Sequence, residues 1–226
     1  MRVGVLFSGG KDSCLALHKS MSFHDVVCLI TLLSENNESY MFHVPNIEIT
    51  EKQAEAIGLP LVQKRTSGEK ETELKDLKEA IRTAKASFGL EGVVTGAVRS
   101  VYQSTRVQKI CRQLDLWCFN PLWLKDEIEL LNEIVDYRYE VVIGGVFAFP
   151  LTKEFLGKKL DGEMIQKLKR LKDEYGLNPA GEGGEIETTV LDAPFFRRKV
   201  EIMDYDISYR EYSGVFKIRE VRLIEK

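Results

Sequence analysis

The first 120 residues alternate short apolar runs with segments of helical periodicity. Residues 2–7 and 25–33 are nearly continuous apolar runs, which is typical of strands buried on both faces of a parallel sheet. Residues 12–21 and 46–57 follow them with helical spacing, and the same alternation continues with strands at 61–64 and 92–96 and a helix at 69–88. This order predicts an α/β fold, a doubly wound parallel sheet with helices on both faces.

The second half has a different pattern. It predicts a helix at 126–135, a strand at 141–149, a second helix at 161–175, and two strand-like runs flanking the turn signal Tyr212–Ser213–Gly214. We therefore expect a smaller C-terminal α+β domain. The predicted division gives an ATP-binding domain at 1–122 and a substrate-recognition domain at 123–226.

Composition excludes several classes of protein. The chain has 226 residues, 44% of them hydrophobic, and its 32 basic and 35 acidic side chains give a net charge of −3. This balance argues against disorder and against a polybasic nucleic-acid or membrane-surface binder. The apolar run at 141–151 is too short to span a membrane, and four cysteines do not form a disulfide framework. With no leader-like segment after Met1, we expect a cytoplasmic protein without membrane or nucleic-acid partners.

The turn after the first predicted strand carries the strongest chemical signal. It consists of Ser8, Gly9, Gly10, Lys11, Asp12 and Ser13. Adjacent glycines let backbone N–H groups approach an anion, and the start of the following helix points further N–H groups at the same place. Two serine hydroxyls and one lysine complete a pocket suited to a polyphosphate. A Walker A loop does not fit, because Gly10 stands where lysine is required, and no dinucleotide fingerprint is present.

Asp12 is unexpected beside a phosphate, because like charges repel. Its carboxylate suits three roles: a helix cap, an organiser of the loop, or a contact to Mg²⁺ and its waters.

A second polar group follows the strand predicted at 92–96. Its members are Gly96, Arg99, Ser100, Tyr102, Gln103 and Arg106. Open α/β sheets bind ligands at the carboxyl ends of their strands, so these residues are candidates for the site. Arg99 and Arg106 suit an α-phosphate or a substrate carboxylate, although a solvated helix start would have the same composition.

A third group is acidic and rich in glycine. Glu182, Glu185 and Glu187 lie within residues 181–188. Such a segment is either a mobile surface loop or the mouth of a site that attracts a cation. No spacing of histidines and cysteines that would indicate a zinc site is present, and His18 is predicted to pack in the core. Residues 40–43 (YMFH) suit either an edge strand or the border of the ligand site.

The loop at 8–13 resembles the pyrophosphate loop of the N-type ATP pyrophosphatases, enzymes that adenylate an oxygen and release pyrophosphate. The segments 96–103 (GAVRSVYQ), 121–123 (PLW) and 183–188 (GGEIET) resemble the diphthine–ammonia ligase family, in the same order and over nearly the whole chain.

The resemblance implies an ATP-dependent ligase that amidates diphthine, a modified histidine of translation elongation factor 2, with ammonium. ATP and Mg²⁺ are the implied cofactors, with Gly96 and the loop 8–13 as the cofactor site and Asp12 as the metal contact. The catalytic candidates are Lys11, Asp12, Arg99 and Glu185. The substrate-binding candidates are Ser100, Tyr102, Gln103, Arg106, Glu182, Glu185 and Glu187.

Diphthine carries a trimethylammonium group, which suits carboxylates and aromatic faces such as Tyr102 or Trp123. Two other functions stay open from the sequence: a tRNA-thiolating or other adenylating enzyme, and a non-catalytic sensor of ATP or AMP. The oligomeric state is open as well, a homo-oligomer included.

Overall fold

The computed structural model describes residues 1–34, 45–67 and 70–226, and contains a five-stranded parallel sheet that confirms the predicted α/β class. The strand order is β3-β2-β1-β4-β5. The strands are β1 (Arg2–Leu6), β2 (Asp25–Ser34), β3 (Leu61–Thr66), β4 (Gly92–Val94) and β5 (Trp117–Phe119). The helices between them are α1 (Lys11–Met21), α2 (Thr50–Ile57), α3 (Lys70–Phe88) and α4 (Val101–Gln113).

The sheet is covered on both faces, as the continuous apolar strands predict. Ile81 of α3 and Val107 of α4 belong to one apolar layer with Ile30 and Val93 of the sheet. Leu15 of α1 belongs to a second layer, which also contains the apolar side chains of the second half. The sheet is therefore doubly wound.

The second half forms a four-stranded sheet in the order β7-β6-β9-β8, in which all pairs are antiparallel. Its strands are β6 (Glu140–Val146), β7 (Ile186–Asp192), β8 (Lys199–Arg210) and β9 (Ser213–Ile224), and its helices are α5 (Glu127–Asp136) and α6 (Gly162–Tyr175). The predicted hairpin is present. Its two-residue loop, Glu211–Tyr212, has φ values of 48° and 62°, which suit the right-handed twist of a hairpin.

Three predicted boundaries move for local reasons. Asn46 has a φ of 65° and cannot continue a helix, so the helix predicted at 46–57 divides into a 3-10 turn (Ile47–Ile49) and α2. The apolar residues at 117–123 also predict an extended segment, but the chain leaves the sheet after Phe119. The N-cap of α1 is Gly10, so the prediction of Asp12 as a helix cap is wrong.

The two halves share one apolar core. Leu15 of α1, Leu130 of α5 and Ile143 of β6 are completely buried in the same cluster. The division predicted at 122/123 stays a prediction, and it falls between the end of β5 and the start of α5. Among the described helices, we find none with the length and apolarity that crossing a bilayer requires.

Asn46 forms hydrogen bonds between the two halves, so a substitution at this position tests how much those bonds stabilise the protein. Its Nδ2 donates to Thr189 Oγ1 (3.2 Å) and to the Phe216 carbonyl (3.0 Å), and its Oδ1 accepts from the Ile218 N–H (2.8 Å). Asn46→Ala leaves these buried groups unpaired, so we expect the free energy of unfolding in urea to fall by about 3 kcal/mol. Asn132→Ala, at an exposed position of α5, is the matched control. If Asn46→Ala lowers the free energy of unfolding no more than Asn132→Ala does, the hydrogen bonds of Asn46 do not stabilise the contact between the halves.

Candidate active site

The topology of the first sheet creates a crevice at its carboxyl edge. From β1 the chain runs outward to β2 and β3, and then returns to the other side of β1 as β4. The connections after β1 and β4 therefore leave in opposite directions, which is where doubly wound sheets bind their ligands. A cavity of about 690 Å³ lies there, lined by residues that follow β1, by residues that follow β4, and by residues of the 181–188 loop.

The glycine pair after β1 is required by close packing. Gly9 has a φ of +76°, and a Cβ on it would lie 2.1 Å from Oε1 of the buried Gln53. The Nε2 of Gln53 donates to the carbonyls of Gly9 (3.0 Å) and Val190 (2.7 Å). A Cβ on Gly10 would lie 3.2 Å from the Thr188 carbonyl. The loop is thus held between α2 and β7 in a shape that leaves its outer side open to the cavity.

Gly96, which follows β4, is also required to be a glycine, because the chain passes close to the backbone of α1 at this point. A Cβ on this residue would lie 2.9 Å from backbone atoms of both Asp12 and Ser13. Only glycine lets the chain after β4 lie against the first turn of α1, and Gly96 lines the cavity. Ser8 and Ser13 also line it, with their hydroxyl oxygens 3.2 Å apart.

Lys11 connects the first turn of α1 to the second half. Its buried Nζ donates to Asp12 Oδ2 (2.8 Å) and to the Ala180 carbonyl (2.6 Å), and its backbone N–H donates to Thr188 Oγ1 (3.1 Å). Burial lowers the pKa of Lys11, but the charge and hydrogen bond of Asp12, together with Glu182 and Glu187, outweigh this effect and raise the pKa. Lys11 is therefore a fixed cation at the base of the cavity.

Two carboxylates of the acidic loop face this lysine. Glu182 and Glu187 both line the cavity. Burial, reinforced by the charge of Asp12, raises the pKa of Glu182 to about 7. Burial, opposed by Lys11 and reinforced by Asp12 and Glu182, raises the pKa of Glu187 to about 7. With Asp12, three carboxylates surround one ammonium, so the cavity has an excess of negative charge when all of them are ionised.

Asp12 is placed to contact a cation. Its Oδ1 is buried and has no hydrogen-bond partner among the described residues. Within residues 1–34, 45–67 and 70–226, no group of three or more histidine, cysteine or acidic side chains is arranged to hold a metal ion. Mg²⁺ commonly uses one or two carboxylates together with substrate phosphates and water, so a single free carboxylate oxygen beside a phosphate loop fits that ion.

The residues that follow β4 divide into two groups. Ser100 and Gln103 line the cavity, and the Ser100 hydroxyl also caps α4 by accepting the Gln103 N–H at 3.3 Å. Tyr102 and Arg106 are not among the residues that line it. The Arg106 guanidinium stacks 3.3 Å above the Tyr102 ring and donates to the Tyr102 carbonyl. The structure therefore does not bring these two predicted substrate contacts into the cavity.

Arg99 and Glu185 are likewise directed elsewhere. The Arg99 guanidinium pairs with Glu127 at 2.9 Å, and its backbone N–H donates to Glu182 Oε2 at 3.3 Å. The Glu185 carboxylate accepts the N–H of Gly183 at 2.9 Å, within its own loop. Neither side chain lines the cavity, so the structure does not place these two predicted catalytic residues beside Lys11 and Asp12.

Sequence reasoning missed several residues that shape the site. Gln53 fixes the glycine loop from the middle of α2, where nothing in the sequence marks it. Glu127 has 6% exposure and binds Arg99, Lys172 and Asn178, and it follows the recognisable helix cap Asp126. Phe147, at the end of β6, lines the cavity.

His18 packs against Tyr139, as expected for a packed histidine, with 3.0 Å between Nδ1 and the phenol oxygen. The prediction for residues 40–43 lies outside the described residues.

A parallel sheet with a glycine loop and a lysine at its crevice is the arrangement with which many α/β proteins bind phosphate groups. The comparison with protein families is more specific. Residues 1–117 match the family model described as "Diphthamide synthase N-terminal domain", and residues 126–224 match the model described as "Diphthamide synthase C-terminal domain". The chain therefore belongs to the diphthamide synthase family, which confirms the resemblance found in the sequence.

Curated relatives carry the name diphthine–ammonia ligase. The Schizosaccharomyces pombe protein is 36% identical over 92% of this chain, and the chain spans 37% of that relative's length. The Rattus norvegicus protein is 36% identical, with 89% of this chain and 83% of the relative covered. The Homo sapiens protein is 31% identical, with 100% of this chain and 91% of the relative covered.

The raised pKa values predict a pH-dependent stability. A carboxyl group with a folded pKa near 7 and an unfolded pKa near 4.5 favours the folded state at low pH, and this contribution is lost as the pH rises through 7. Glu187→Gln removes the buried charge. The melting temperature of the ligand-free variant minus that of the wild type should therefore become more positive between pH 5 and pH 8. Glu211→Gln, at an exposed carboxylate, should give a constant difference. If the difference in melting temperature for Glu187→Gln stays constant between pH 5 and pH 8, the pKa of Glu187 is not raised by burial.

Proposed function

We propose that this protein is an ATP-dependent ligase that converts diphthine on translation elongation factor 2 to diphthamide, with ammonium as the nitrogen source. The observation that carries the proposal is that the phosphate loop and the acidic loop line one cavity, with Lys11 between them. A site for an anionic nucleotide thereby adjoins a site for a cationic substrate. The family match over both halves supports the same conclusion.

In this proposal the first half holds ATP. The pyrophosphate portion lies on the loop 8–13, where the N-terminus of α1, two serine hydroxyls and Lys11 offer positive charge and hydrogen-bond donors. The adenine packs against the apolar wall of the same cavity, which includes Ile30, Leu32 and Val107. Asp12, through its unpartnered Oδ1, would hold Mg²⁺ directly or through water. The ion would supply charge that neutralises the phosphate oxygens.

The chemistry proceeds in two displacements. The diphthine carboxylate attacks the α-phosphorus of ATP, the bond to the β-phosphate oxygen breaks, and pyrophosphate leaves. Ammonia then attacks the carbonyl carbon of the acyl-adenylate and AMP leaves with the bonding electrons of the C–O bond. The protein contributes mainly by positioning both reactants and by stabilising the charge that develops on the phosphates.

No observation favours the other two functions. A tRNA-thiolating enzyme would need a reactive cysteine beside the nucleotide. Cys14, Cys28 and Cys111 are buried, and no cysteine belongs to the described lining of the cavity. A sensor of ATP would not require a lysine fixed between a phosphate loop and two carboxylates. We also propose a cytoplasmic location, where the translation factor is present.

The phosphate loop can be tested through Asp12. Asp12→Asn keeps the size of the side chain but removes the charge that pairs with Lys11 and faces the metal. We expect pyrophosphate release to fall about a hundredfold, the scale for losing one preorganised contact in a transition state. Asp136→Asn, at an exposed position of α5, should retain wild-type turnover. Normal turnover of Asp12→Asn, with the fold confirmed by circular dichroism, would refute the assigned role.

The nitrogen source can be tested with the purified chain. Because no cysteine lines the cavity among the described residues, the structure offers no glutaminase nucleophile there. Free ammonia should therefore be the nucleophile, and glutamine alone should give no diphthamide in a mass spectrum of the elongation factor. At fixed total ammonium, turnover should rise with pH toward the pKa of ammonium. Efficient amidation with glutamine and no added ammonium would overturn this expectation.

A further inference from the structure

Phe147 is the one partly exposed aromatic residue among the described residues that line the active-site cavity. Its side chain is 37% exposed. The other aromatic residue of the lining, Phe7, is 2% exposed and belongs to the core. Phe147 directly follows β6. A solvent-accessible aromatic face inside a polar, acidic cavity requires an explanation.

The strand register places the Phe147 ring beside Glu187. Gly145 of β6 pairs with Glu187 of β7, and paired residues point to the same face of a sheet. Phe147 is two residues beyond Gly145 and shares that face. A Cβ on Gly145 would lie 2.6 Å from Cε2 of Phe147, so the ring lies directly over this glycine. The Phe147 N–H donates to the Glu185 carbonyl at 2.9 Å and extends the pairing of the two strands.

The charge of the surroundings calls for a cation. Lys11 is the one basic side chain among the described residues of the lining, and its ammonium is already bound to Asp12 and Ala180. Glu182 and Glu187 also interact with this ammonium, but one positive charge does not balance three carboxylates. In the proposed function Mg²⁺ lies at Asp12 and the phosphates, and the described residues contain no group of three or more histidine, cysteine or acidic side chains that would hold a further metal ion beside Glu182 and Glu187.

The aromatic face distinguishes between kinds of cation. An ammonium with N–H groups seeks hydrogen-bond acceptors, whereas a quaternary ammonium has no N–H and binds through electrostatic attraction to carboxylates and aromatic faces. We propose that Phe147 and Glu187 form the binding site for the quaternary ammonium group of the substrate. This inference rests on the proposed function. In diphthine the quaternary nitrogen and the reacting carboxylate are attached to the same carbon, so the two groups must bind in one cavity, as this placement allows.

A pair of small probes tests the site without requiring catalysis. Betaine carries a trimethylammonium and a carboxylate joined through one carbon, and 3,3-dimethylbutanoate has the same shape with a neutral carbon in place of the nitrogen. Both are titrated into the protein in the presence of a non-hydrolysable ATP analogue, and binding is followed by NMR. The wild type should bind betaine roughly tenfold more tightly than 3,3-dimethylbutanoate, the scale of a partly desolvated cation–π contact.

Substitutions at Phe147, Glu187 and Phe149 test which side chains cause the preference for betaine. Phe147→Leu should reduce the preference for betaine and leave the part that Glu187 supplies, and Phe147→Tyr should retain the full preference because the aromatic face remains. Glu187→Gln should reduce it. Phe149→Leu is the matched control. Phe149 is 57% exposed and packs edge-on against Tyr175 and Tyr212, outside the cavity lining. This variant should keep the wild-type preference.

The outcomes separate this inference from the proposed function. Equal binding of the two probes by the wild type, or a preference that Phe147→Leu leaves undiminished, overturns the quaternary ammonium site even if the wild type amidates diphthine. A preference that is reduced in Phe147→Leu and unchanged in Phe149→Leu, without amidation by the wild type, supports the site and refutes the function. In a working enzyme, Phe147→Leu should raise the KM for the diphthine-bearing factor roughly tenfold, with a smaller change in the KM for ATP.

Discussion

The first turn of α1 is the point on which the rest of the structure depends. Lys11 donates its backbone N–H to Thr188 of β7 and its ammonium to the Ala180 carbonyl, while Asp12 lies against Gly96 from β4. These contacts come from both halves of the chain and meet within one helical turn. The phosphate loop is therefore shaped by the second sheet as much as by the strand that precedes it, and the two halves form one site.

The electrostatic balance of that site follows from the same arrangement. Burial of Lys11 is favourable only because carboxylates surround it, and the burial of those carboxylates is costly without a cation. Glu182 and Glu187 consequently have pKa values raised to about 7. A cavity with this excess of carboxylates favours cationic ligands, and in the proposed function the nucleotide lies where the helix N-terminus and Lys11 offset the acidic wall. The proposed pairing of ATP with a quaternary ammonium substrate uses both properties.

The sequence predicted the site where its signals were local. The glycine pair, Lys11, Asp12 and Gly96 were identified because each follows directly from a strand end and a turn. Ser100 and Gln103 were identified with them, but Tyr102 and Arg106 bind each other instead, because adjacent turns of a helix bring i and i+4 side chains together. Within the acidic loop, the sequence did not distinguish Glu185 from Glu182 and Glu187. That distinction depends on a hydrogen bond inside the loop and on the register of β7 with β6.

By itself, the sequence determined the class of the fold, the alternation of strands and helices in the first half, the hairpin and helices of the second, and the position of the glycine loop after the first strand. These features depend on periodicity and on residue types that few backbone shapes accept. Only the tertiary structure decided that Gln53 supports the loop, that Glu127 holds Arg99 away from the cavity, and that Phe147 stands beside Glu187. Such contacts join residues far apart in the chain, and their geometry is set by the packing and strand register of the two sheets, which local patterns do not encode.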